Sequence, residues 1–139
     1  MQTFLPYANF YKTAECLDWK RLGNQRNEAD IILKTIRGES DGWKHHPIVK
    51  MWAGYDAYLE WYRNVMIQEW IKRGYSNNMP IKGCWYIGDL NTDVPKPSWL
   101  GNEKLHSSHR AALLFKDFNW YSQFNWKEPP EINYVWFIE

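Results

Sequence analysis

The segment from Tyr55 to Arg73 constrains the fold most, because its apolar residues recur with a helical period on two separate sides. One apolar arc consists of Tyr55, Tyr58, Leu59, Tyr62, Val65, Met66 and Trp70, and a second patch consists of Ala57, Trp61, Ile67 and Ile71. A helix that is apolar on two sides must be covered on both, so we expect this helix at the centre of the protein. Gly74, which follows two basic residues, is expected to end it.

Residues typical of helix ends predict further helices before and after the central one. These helices cover approximately residues 10–17, 19–37, 47–52 and 106–117. Asn9 and Asp18 are N-cap candidates for the first two helices. Gly38 is expected to close the second, and Pro47 suits the first position of the third.

Two long stretches lack a helical period. Residues 76–103 are rich in Gly and Pro and predict a long ordered loop. Residues 120–139 are aromatic, contain Pro129 and Pro130, and predict extended chain over the helices. A chain of 139 residues is one ordinary domain. We therefore predict a mainly α fold: a compact single-domain helical bundle over residues 1–139 with a long ordered loop and an extended aromatic carboxy-terminal tail.

The composition excludes several classes of protein and leaves one question open. Charged residues make up 24% of the chain and hydrophobic residues 45%, which excludes a disordered tail. Lys and Arg total 17 against 16 Asp and Glu, which excludes a histone-like protein. The ten Trp, nine Tyr and six Phe can build a large core or stack against bases, and composition does not choose between these uses.

The chain carries no recognisable targeting segment. Residues 1–6 lack both a basic stretch and a long apolar one, so we expect no signal peptide. No apolar run reaches the length of a membrane span. The two cysteines, Cys16 and Cys84, do not have metal-type spacing, and we expect both to be buried, reduced thiols. These features predict a cytoplasmic protein without a membrane segment.

Polar residues border the apolar stripe of the second predicted helix. Arg21, Gln25 and Glu28 follow one another at helical spacings and form one ridge, and Arg26 falls near the apolar stripe. Polar groups at the edge of a core need partners or line a cleft. Two interpretations follow: an internal salt bridge of Arg21 or Arg26 with Glu28, or a cleft wall.

A basic cluster precedes the third predicted helix. Lys44, His45 and His46 lead into Pro47, and Lys50 lies one helical turn further on. Backbone N–H groups at a helix start, together with these cations, would form a phosphate site. The alternative is ordinary solvated loop charge.

The last predicted helix carries a second basic cluster without any acid. Its cationic residues are Lys104, His106, His109, Arg110 and Lys116, and Ser107 and Ser108 add hydroxyl donors. This pattern is typical of a helix that contacts phosphates. The spacing of the two histidines would also suit a metal, but no H-E-x-x-H motif or Cys pair supports a metal site.

Several common signatures are missing from the chain. It contains no G-x-S-x-G, no P-loop and no G-x-G-x-x-G, which removes common hydrolase, nucleotide and dinucleotide functions. A helical domain with cationic clusters, spare aromatic residues and a carboxylate on a ridge fits a nucleic-acid enzyme that needs no cofactor.

Many short strings of the chain occur together in a group of bacterial and phage proteins. They are Met1–Tyr7, Leu17–Asp18, Arg21–Gly23, Gln25–Arg26 with Glu28, Gly42–Pro47, Met51–Trp52, Gly54–Tyr55, Arg73–Tyr75, Pro97–Gly101, His106, Ser108–His109 and Lys116. The chain resembles this group up to about Tyr121. The order of the pieces is in turn similar to that of the phage pyrimidine-dimer DNA glycosylase family, known as endonuclease V.

The resemblance implies a specific chemistry. In that family the α-amino group of the first residue attacks C1′ of the damaged nucleotide, and a glutamate assists imine formation and β-elimination. The resemblance implies that Met1 supplies the amine. Trp19, Lys20 and Leu22 match the residues around the family's glutamate, but the glutamate position itself holds Arg21.

Glu28 lies on the same ridge and is expected to replace that glutamate, with Asp18 and Glu15 as other candidates. The expected catalytic residues are Met1, Arg21, Glu28 and His46. The expected nucleic-acid-binding residues are Lys20, Gln25, Arg26, Lys44, His45, Lys50, His106, Ser107, Ser108, His109, Arg110 and Lys116. The substrate implied is a damaged or modified pyrimidine in double-stranded DNA, which is reached by extruding a nucleotide, and no cofactor is expected. The amino terminus should fold against Glu28 and the cationic helix.

Two alternatives from other classes remain. The first is a small nucleic-acid-binding protein on the same scaffold that performs no chemistry. The second is a hydrolase or nuclease built on His46, His106 and His109, with or without a metal.

Overall fold

The computed structural model describes residues 1–81 and 94–138, and these fold into helices joined by loops. The helices are α1 (Phe10–Cys16), α2 (Trp19–Ile36), α3 (Pro47–Trp52), α4 (Asp56–Lys72), α5 (Glu103–Lys116) and α6 (Phe118–Tyr121), followed by a 3-10 helix at Ser122–Phe124. The described residues contain no β-strand. The predicted mainly α fold is therefore confirmed.

Helices α1 and α2 begin, and helices α2 and α4 end, at the capping residues that the sequence predicts. The side chains of Asn9 and Asp18 each accept a hydrogen bond from the backbone N–H three residues further on, which starts α1 and α2. Gly38 and Gly74 follow α2 and α4 with φ angles of +77° and +89°, a left-handed conformation that glycine adopts without strain. Local sequence therefore determines these boundaries.

Helix α4 is covered on two sides along most of its length, as its apolar pattern predicts, although Ile71 of the second patch is 49% exposed. It packs against α2 and against α1, where the ring of Phe10 meets the fully buried Tyr62 edge-on at 5.4 Å between centroids. The same helix buries Arg63, whose Nε donates to the carboxylate of Asp30 on α2 at 2.8 Å. This ion pair offsets much of the cost of removing the guanidinium from water. The central position of α4 is confirmed.

Helix α5 begins earlier than the sequence predicts. It starts at Glu103 and not near His106, because the side chain of Asn102 accepts a hydrogen bond from the backbone N–H of Lys104 and caps the helix there. The added first turn also places the Glu103 carboxylate at the positive end of the helix dipole.

The prediction of extended chain from Trp120 onwards is wrong for the first residues of that segment. The side chain of Asp117 accepts from the backbone N–H of Trp120 and starts the short helix α6. Tyr121 of this helix is fully buried. Its hydroxyl accepts from the backbone N–H of Asp18 at 3.1 Å and donates to the Asp18 carboxylate, which connects α6 to the start of α2.

Residues 125–138 form the predicted aromatic tail, which contains no helix or strand. The indole of Trp126 stacks on the ring of Tyr121 at 5.7 Å between centroids and an angle of 14°. Further along, the backbone N–H of Val135 donates to the hydroxyl of Ser108 on α5 at 3.2 Å. The tail therefore runs back over α5.

Part of the predicted long loop, residues 82–93, lies outside the described residues, and so does Cys84. The described parts of the loop, residues 76–81 and 94–102, contain no helix. Cys16 is buried as predicted, and burial raises the pKa of its thiol to about 12. Among the helices of residues 1–81 and 94–138, none is long and apolar enough to span a membrane.

We expect Tyr121→Phe to lower the free energy of unfolding by about 1–3 kcal/mol, because it leaves the buried N–H and the Oδ1 atom of Asp18 without the Tyr121 hydroxyl as their partner. Urea denaturation followed by circular dichroism measures the loss. Tyr75→Phe is the matched control, since Tyr75 is 41% exposed and its change should stay within about 0.5 kcal/mol. Equal stability of the two variants would contradict a structural role for the Tyr121 hydroxyl.

Candidate functional site

The first six residues run as irregular chain through the interior, so their backbone groups need partners from the helices. The backbone N–H of Phe4 donates to Oε1 of Gln25 on α2 at 2.9 Å. The hydroxyl of Tyr62 on α4 donates to the carbonyl of Phe4 at 2.8 Å. The indole N–H of Trp52 on α3 donates to the hydroxyl of Thr3 at 3.0 Å. Three helices therefore fix this segment.

Two buried histidines of α5 bind the same segment. The backbone N–H of Leu5 donates to Nδ1 of His109 at 2.8 Å, and Nδ1 of His106 lies 2.7 Å from the carbonyl of Leu5. Nε2 of His106 accepts from the backbone N–H of Gly101 at 2.9 Å, so its proton lies on Nδ1. Burial lowers the pKa of His109 to about 3. With exposures of 3% and 2%, these side chains do not form the phosphate-contacting surface that the sequence predicts for them.

Arg110 of the same basic cluster also bonds to other residues of the protein. The guanidinium of Arg110 donates to the carbonyl of Pro6 at 2.8 Å and to the carboxylate of Glu128 at 3.0 Å, and it pairs with Glu103. Ser107 donates its hydroxyl hydrogen to the same Glu128 carboxylate at 2.8 Å. These residues join the amino-terminal segment and the tail to α5, since buried carbonyl groups must find donors.

Glu28 lies beside the amino terminus. Nε2 of Gln25 donates to its carboxylate at 2.6 Å, and the backbone N–H of Gln2 also donates to it. Partial burial raises the pKa of Glu28 above its usual value. The positive charge of Met1, these two hydrogen bonds and the charge of Lys116 offset only part of that effect. The structure thus gives Glu28 the environment of a carboxyl group that retains its proton at higher pH than usual.

Neither Arg21 nor Arg26 of α2 forms a salt bridge with Glu28. Arg21 pairs with Asp18 at 3.3 Å, and Arg26 donates to the side chain of Asn77 at 2.7 Å on a different face of α2. Since Asp18 is buried and caps α2, it is committed to the fold, while Glu15 is exposed on α1.

Glu28 instead faces a small pocket. This pocket of about 150 Å³ is lined by Phe4, Lys20, Arg21, Asn24, Gln25, Glu28 and Lys116. Lys20 and Lys116 are exposed at its rim. A partly buried carboxyl group and two exposed lysines thus meet at one opening on the surface.

His46 lies on the other side of the amino terminus. Its Nδ1 accepts from the backbone N–H of Ile48 and caps α3, at 3.0 Å. Burial lowers the pKa of His46, and the Met1 ammonium lowers it further. The positive charge of Met1 lowers the pKa of both His46 and Glu28, and the chain that follows it contacts α3 through Thr3 and α2 through Phe4. The exposed cations on the His46 side are Lys44, His45 and Lys50.

Two residues of the tail border this site, and sequence reasoning missed both. Burial and the charge of Glu28 raise the pKa of Tyr134, while the charge of Arg21 lowers it. The ring of Tyr134 lies 6.4 Å between centroids from the ring of Phe4, which lines the pocket. The ring of Trp136 meets the ring of His46 edge-on at 5.8 Å between centroids. In the sequence, only the high aromatic content of the tail indicated such contacts, because no local pattern connects Tyr134 and Trp136 with residues near the amino terminus.

The structure therefore divides the predicted site residues into two groups. Those at the Glu28 pocket are Lys20, Arg21, Gln25, Glu28 and Lys116, and the charge of Met1 acts on Glu28 and on His46, which has Lys44, His45 and Lys50 near it in the chain. Those that hold the fold together are His106, Ser107, Ser108, His109 and Arg110, while Arg26 lies on a different face of α2. Within residues 1–81 and 94–138, no three His, Cys, Asp or Glu residues cluster as metal ligands would.

We expect Glu28→Gln to become more stable relative to the wild type as the pH rises from about 4 to about 8. The folded state raises the pKa of Glu28, so the group stabilises the fold below its unfolded pKa and loses that contribution as the pH rises through its folded pKa. Glutamine does not ionise, so the Glu28→Gln variant does not lose stability in this way as the pH rises. Urea midpoints at several pH values measure the difference.

The exposed Glu39→Gln is the control for removal of one carboxylate charge. A Glu28→Gln variant that loses stability relative to the wild type as the pH rises would show that the ionised carboxylate stabilises the fold.

Comparison with known proteins gives one positive finding. Residues 1–83 match the model of the pyrimidine dimer DNA glycosylase family. No curated protein and no solved structure matches the chain. The matched region contains the amino terminus, α2 with Glu28, and α3 with His46, which are the elements that form the site. The chain therefore belongs to the pyrimidine dimer DNA glycosylase family.

Proposed function

We propose that this protein is a DNA glycosylase with abasic-site lyase activity that acts on a damaged or modified pyrimidine in double-stranded DNA. Its nucleophile is the α-amino group of Met1, and its acid/base group is Glu28. The observation that carries this proposal is a partly buried Glu28 of raised pKa, on which the charge of the Met1 amine acts, at a pocket with exposed lysines. Membership of the family supports the same assignment.

An α-amino group suits this chemistry better than a lysine side chain. Its reference pKa is about 7.7–8.0 against about 10.4 for lysine, so a much larger fraction is neutral near pH 7. Only the neutral amine has the lone pair that attacks carbon. Because the first residues are anchored by three helices, the amine is held in place without the loss of freedom that a long side chain would undergo.

The proposed reaction begins with attack of the Met1 amine on the sugar of the damaged nucleotide. The lone pair of the Met1 amine forms a bond to C1′, and the bond from C1′ to the base breaks, with the base leaving with the electron pair and taking up a proton. The nitrogen then loses a proton, its lone pair forms the C=N bond, and the C1′–O4′ bond breaks as O4′ is protonated. Loss of a C2′ proton from the imine expels the 3′ phosphate by β-elimination.

Glu28 can serve two of these steps. Its raised pKa keeps a larger protonated fraction near neutral pH, and the acid form can protonate O4′ as the sugar ring opens. The carboxylate so formed can then accept the C2′ proton. Gln25 donates to this carboxyl group and also holds Phe4, so it is the positioning residue that keeps acid and amine together.

Exposed lysines at the Glu28 pocket and near His46 support binding of the DNA backbone. Lys20 and Lys116 lie at the rim beside Glu28, and Lys44 and Lys50 lie beyond His46 on the α3 side. A duplex laid across the opening would meet positive charge on either side of the nucleotide under attack.

We expect sodium borohydride to trap a covalent adduct with duplex DNA that contains one abasic site, because hydride reduces the imine to a stable amine. A Gly-Ser extension before Met1 should abolish the adduct, whereas the same extension after Glu139 should not. Glu28→Gln should slow strand cleavage about 100-fold or more while DNA is still bound. Gel electrophoresis of labelled DNA measures both the adduct and the cleavage, and Glu39→Gln is the control.

Binding without any adduct would overturn the amine mechanism and favour the non-catalytic DNA-binding protein. An adduct that survives the extension before Met1 would assign the nucleophile to another amine.

We expect Lys20→Gln and Lys116→Gln each to weaken DNA binding similarly for all sequences. Each change should also reduce the slope of log affinity against log salt by about 0.9 if the lysine contacts one phosphate. Fluorescence anisotropy at several salt concentrations measures the slope. Lys127→Gln is the matched control, because Lys127 is an exposed lysine of the tail outside this pocket. An equal effect of all three changes would contradict a specific phosphate contact at the rim.

A further inference from the structure

The side chain of His46 offers a hydrogen-bond donor that the proposed function does not yet use. Its Nδ1 accepts a hydrogen bond from the backbone N–H of Ile48 at 3.0 Å. A ring nitrogen that accepts from an N–H carries no proton, so the proton of the neutral ring lies on Nε2. Within residues 1–81 and 94–138, no group accepts a hydrogen bond from this Nε2. His46 can therefore donate to a ligand.

Two tryptophan rings hold the imidazole of His46 in place. The rings of Trp43 and Trp136 meet it edge-on, at 5.7 and 5.8 Å between centroids. The backbone carbonyl of Trp43 also accepts from the N–H of His46 at 2.9 Å. Trp43 has a φ angle of +60°, a left-handed conformation that is uncommon for a large side chain and costs energy. The position of the imidazole is thus set by the fold before any ligand binds.

The ring of Trp136 also connects His46 with the Glu28 pocket. It meets the ring of Tyr134 at 5.7 Å between centroids, and Tyr134 meets the ring of Phe4, a lining residue of that pocket, at 6.4 Å. The positive charge of the amino terminus acts on both titratable groups, the carboxyl group on α2 and the imidazole before α3. One row of aromatic rings therefore joins the two groups on which this charge acts.

The β-elimination step needs a second group besides a base. When the C2′ proton leaves, its electron pair forms the C2′=C3′ double bond, the C3′–O bond breaks, and the electron pair of that bond stays on the phosphate oxygen. The departing phosphate thereby gains a second negative charge. An N–H placed at this oxygen stabilises the new charge without any proton transfer. Glu28 accepts the C2′ proton in the proposed reaction, so a different group is needed at the leaving oxygen.

We propose that Nε2–H of His46 donates a hydrogen bond to the phosphate oxygen that leaves C3′, which makes His46 a second catalytic residue of the β-elimination step. This inference rests on the proposed function for the formation of the imine. The exposed Lys44 and Lys50 lie near His46 in the chain and favour a phosphate there over an uncharged group. Burial and the charge of Met1 lower the pKa of His46, which keeps the ring neutral near pH 7 and its single proton on Nε2.

Borohydride trapping with DNA labelled at both ends tests this proposal. Elimination releases the fragment on the 3′ side of the abasic site, while the sugar and the 5′ fragment stay bonded to the protein. Adduct that carries the 3′ label is therefore imine trapped before elimination, and adduct that carries the 5′ label is all the imine formed. The fall of the ratio of 3′ to 5′ label with time measures elimination separately from imine formation.

Two substitutions of His46 separate its donor from its cap. Asparagine keeps an acceptor for the N–H of Ile48, since it is a good N-cap residue, but is too short to place an N–H where Nε2 lies. Glutamine can place an amide N–H there but gives up the cap. We expect His46→Asn to slow the fall of the label ratio about tenfold or more, and His46→Gln about threefold or less.

Asn9→Ala is the control for the loss of a helix cap, because Asn9 caps α1 and is not part of the site. It should leave the fall of the label ratio unchanged. Circular dichroism and thermal unfolding establish that each variant is folded.

The order of the two variants decides between donor and cap. Slower elimination in His46→Gln than in His46→Asn would make His46 a structural cap and overturn the proposal. Less total adduct in His46→Asn, with an unchanged label ratio, would place the residue before the imine and also overturn it. Trapping with the same ratio in all proteins overturns the role of His46 alone, whereas no adduct with the wild type overturns the proposed function and this inference with it.

Discussion

The rest of the site depends on the hydrogen bonds of the Gln25 side chain. Its Oε1 accepts from the backbone N–H of Phe4 at 2.9 Å and lies 2.8 Å from the Tyr62 hydroxyl. A backbone N–H can only donate, so the amide orientation is fixed and Nε2 must point to Glu28. One buried amide thus sets the path of the amino-terminal chain and, through the same group, the position of the carboxyl group beside the amine.

The buried irregular chain of residues 1–6 needs hydrogen-bond partners, and this need explains many of the polar residues in the sequence. The carbonyl and N–H groups of residues 1–6 have no helix or sheet to satisfy them, so α5 supplies His106, His109 and Arg110. These residues are basic and clustered, and from sequence they are indistinguishable from phosphate ligands. Their burial gives the amine a rigid support instead of giving the DNA a surface.

The relation between stability and function at Glu28 follows from its partial burial. A carboxyl group with a raised pKa is a poor contributor to the fold at neutral pH, because its ionisation is opposed by the surrounding protein. The same property suits an acid that must hold a proton near pH 7. Arg21 pairs with the Asp18 cap, while Glu28 lies two turns further along α2 and accepts from Gln25.

The sequence by itself determined the helices, since caps such as Asn9 and Asp18, turn glycines and apolar periods act over a few residues. It also placed Met1 and Glu28 among the candidates. Only the tertiary structure decided which polar residues reach the surface. In the folded protein the basic cluster of α5 faces inward, Tyr134 and Trp136 of the tail lie at the site, and α6 starts at Asp117. Those outcomes depend on contacts between residues up to about a hundred positions apart, and no local pattern records such contacts.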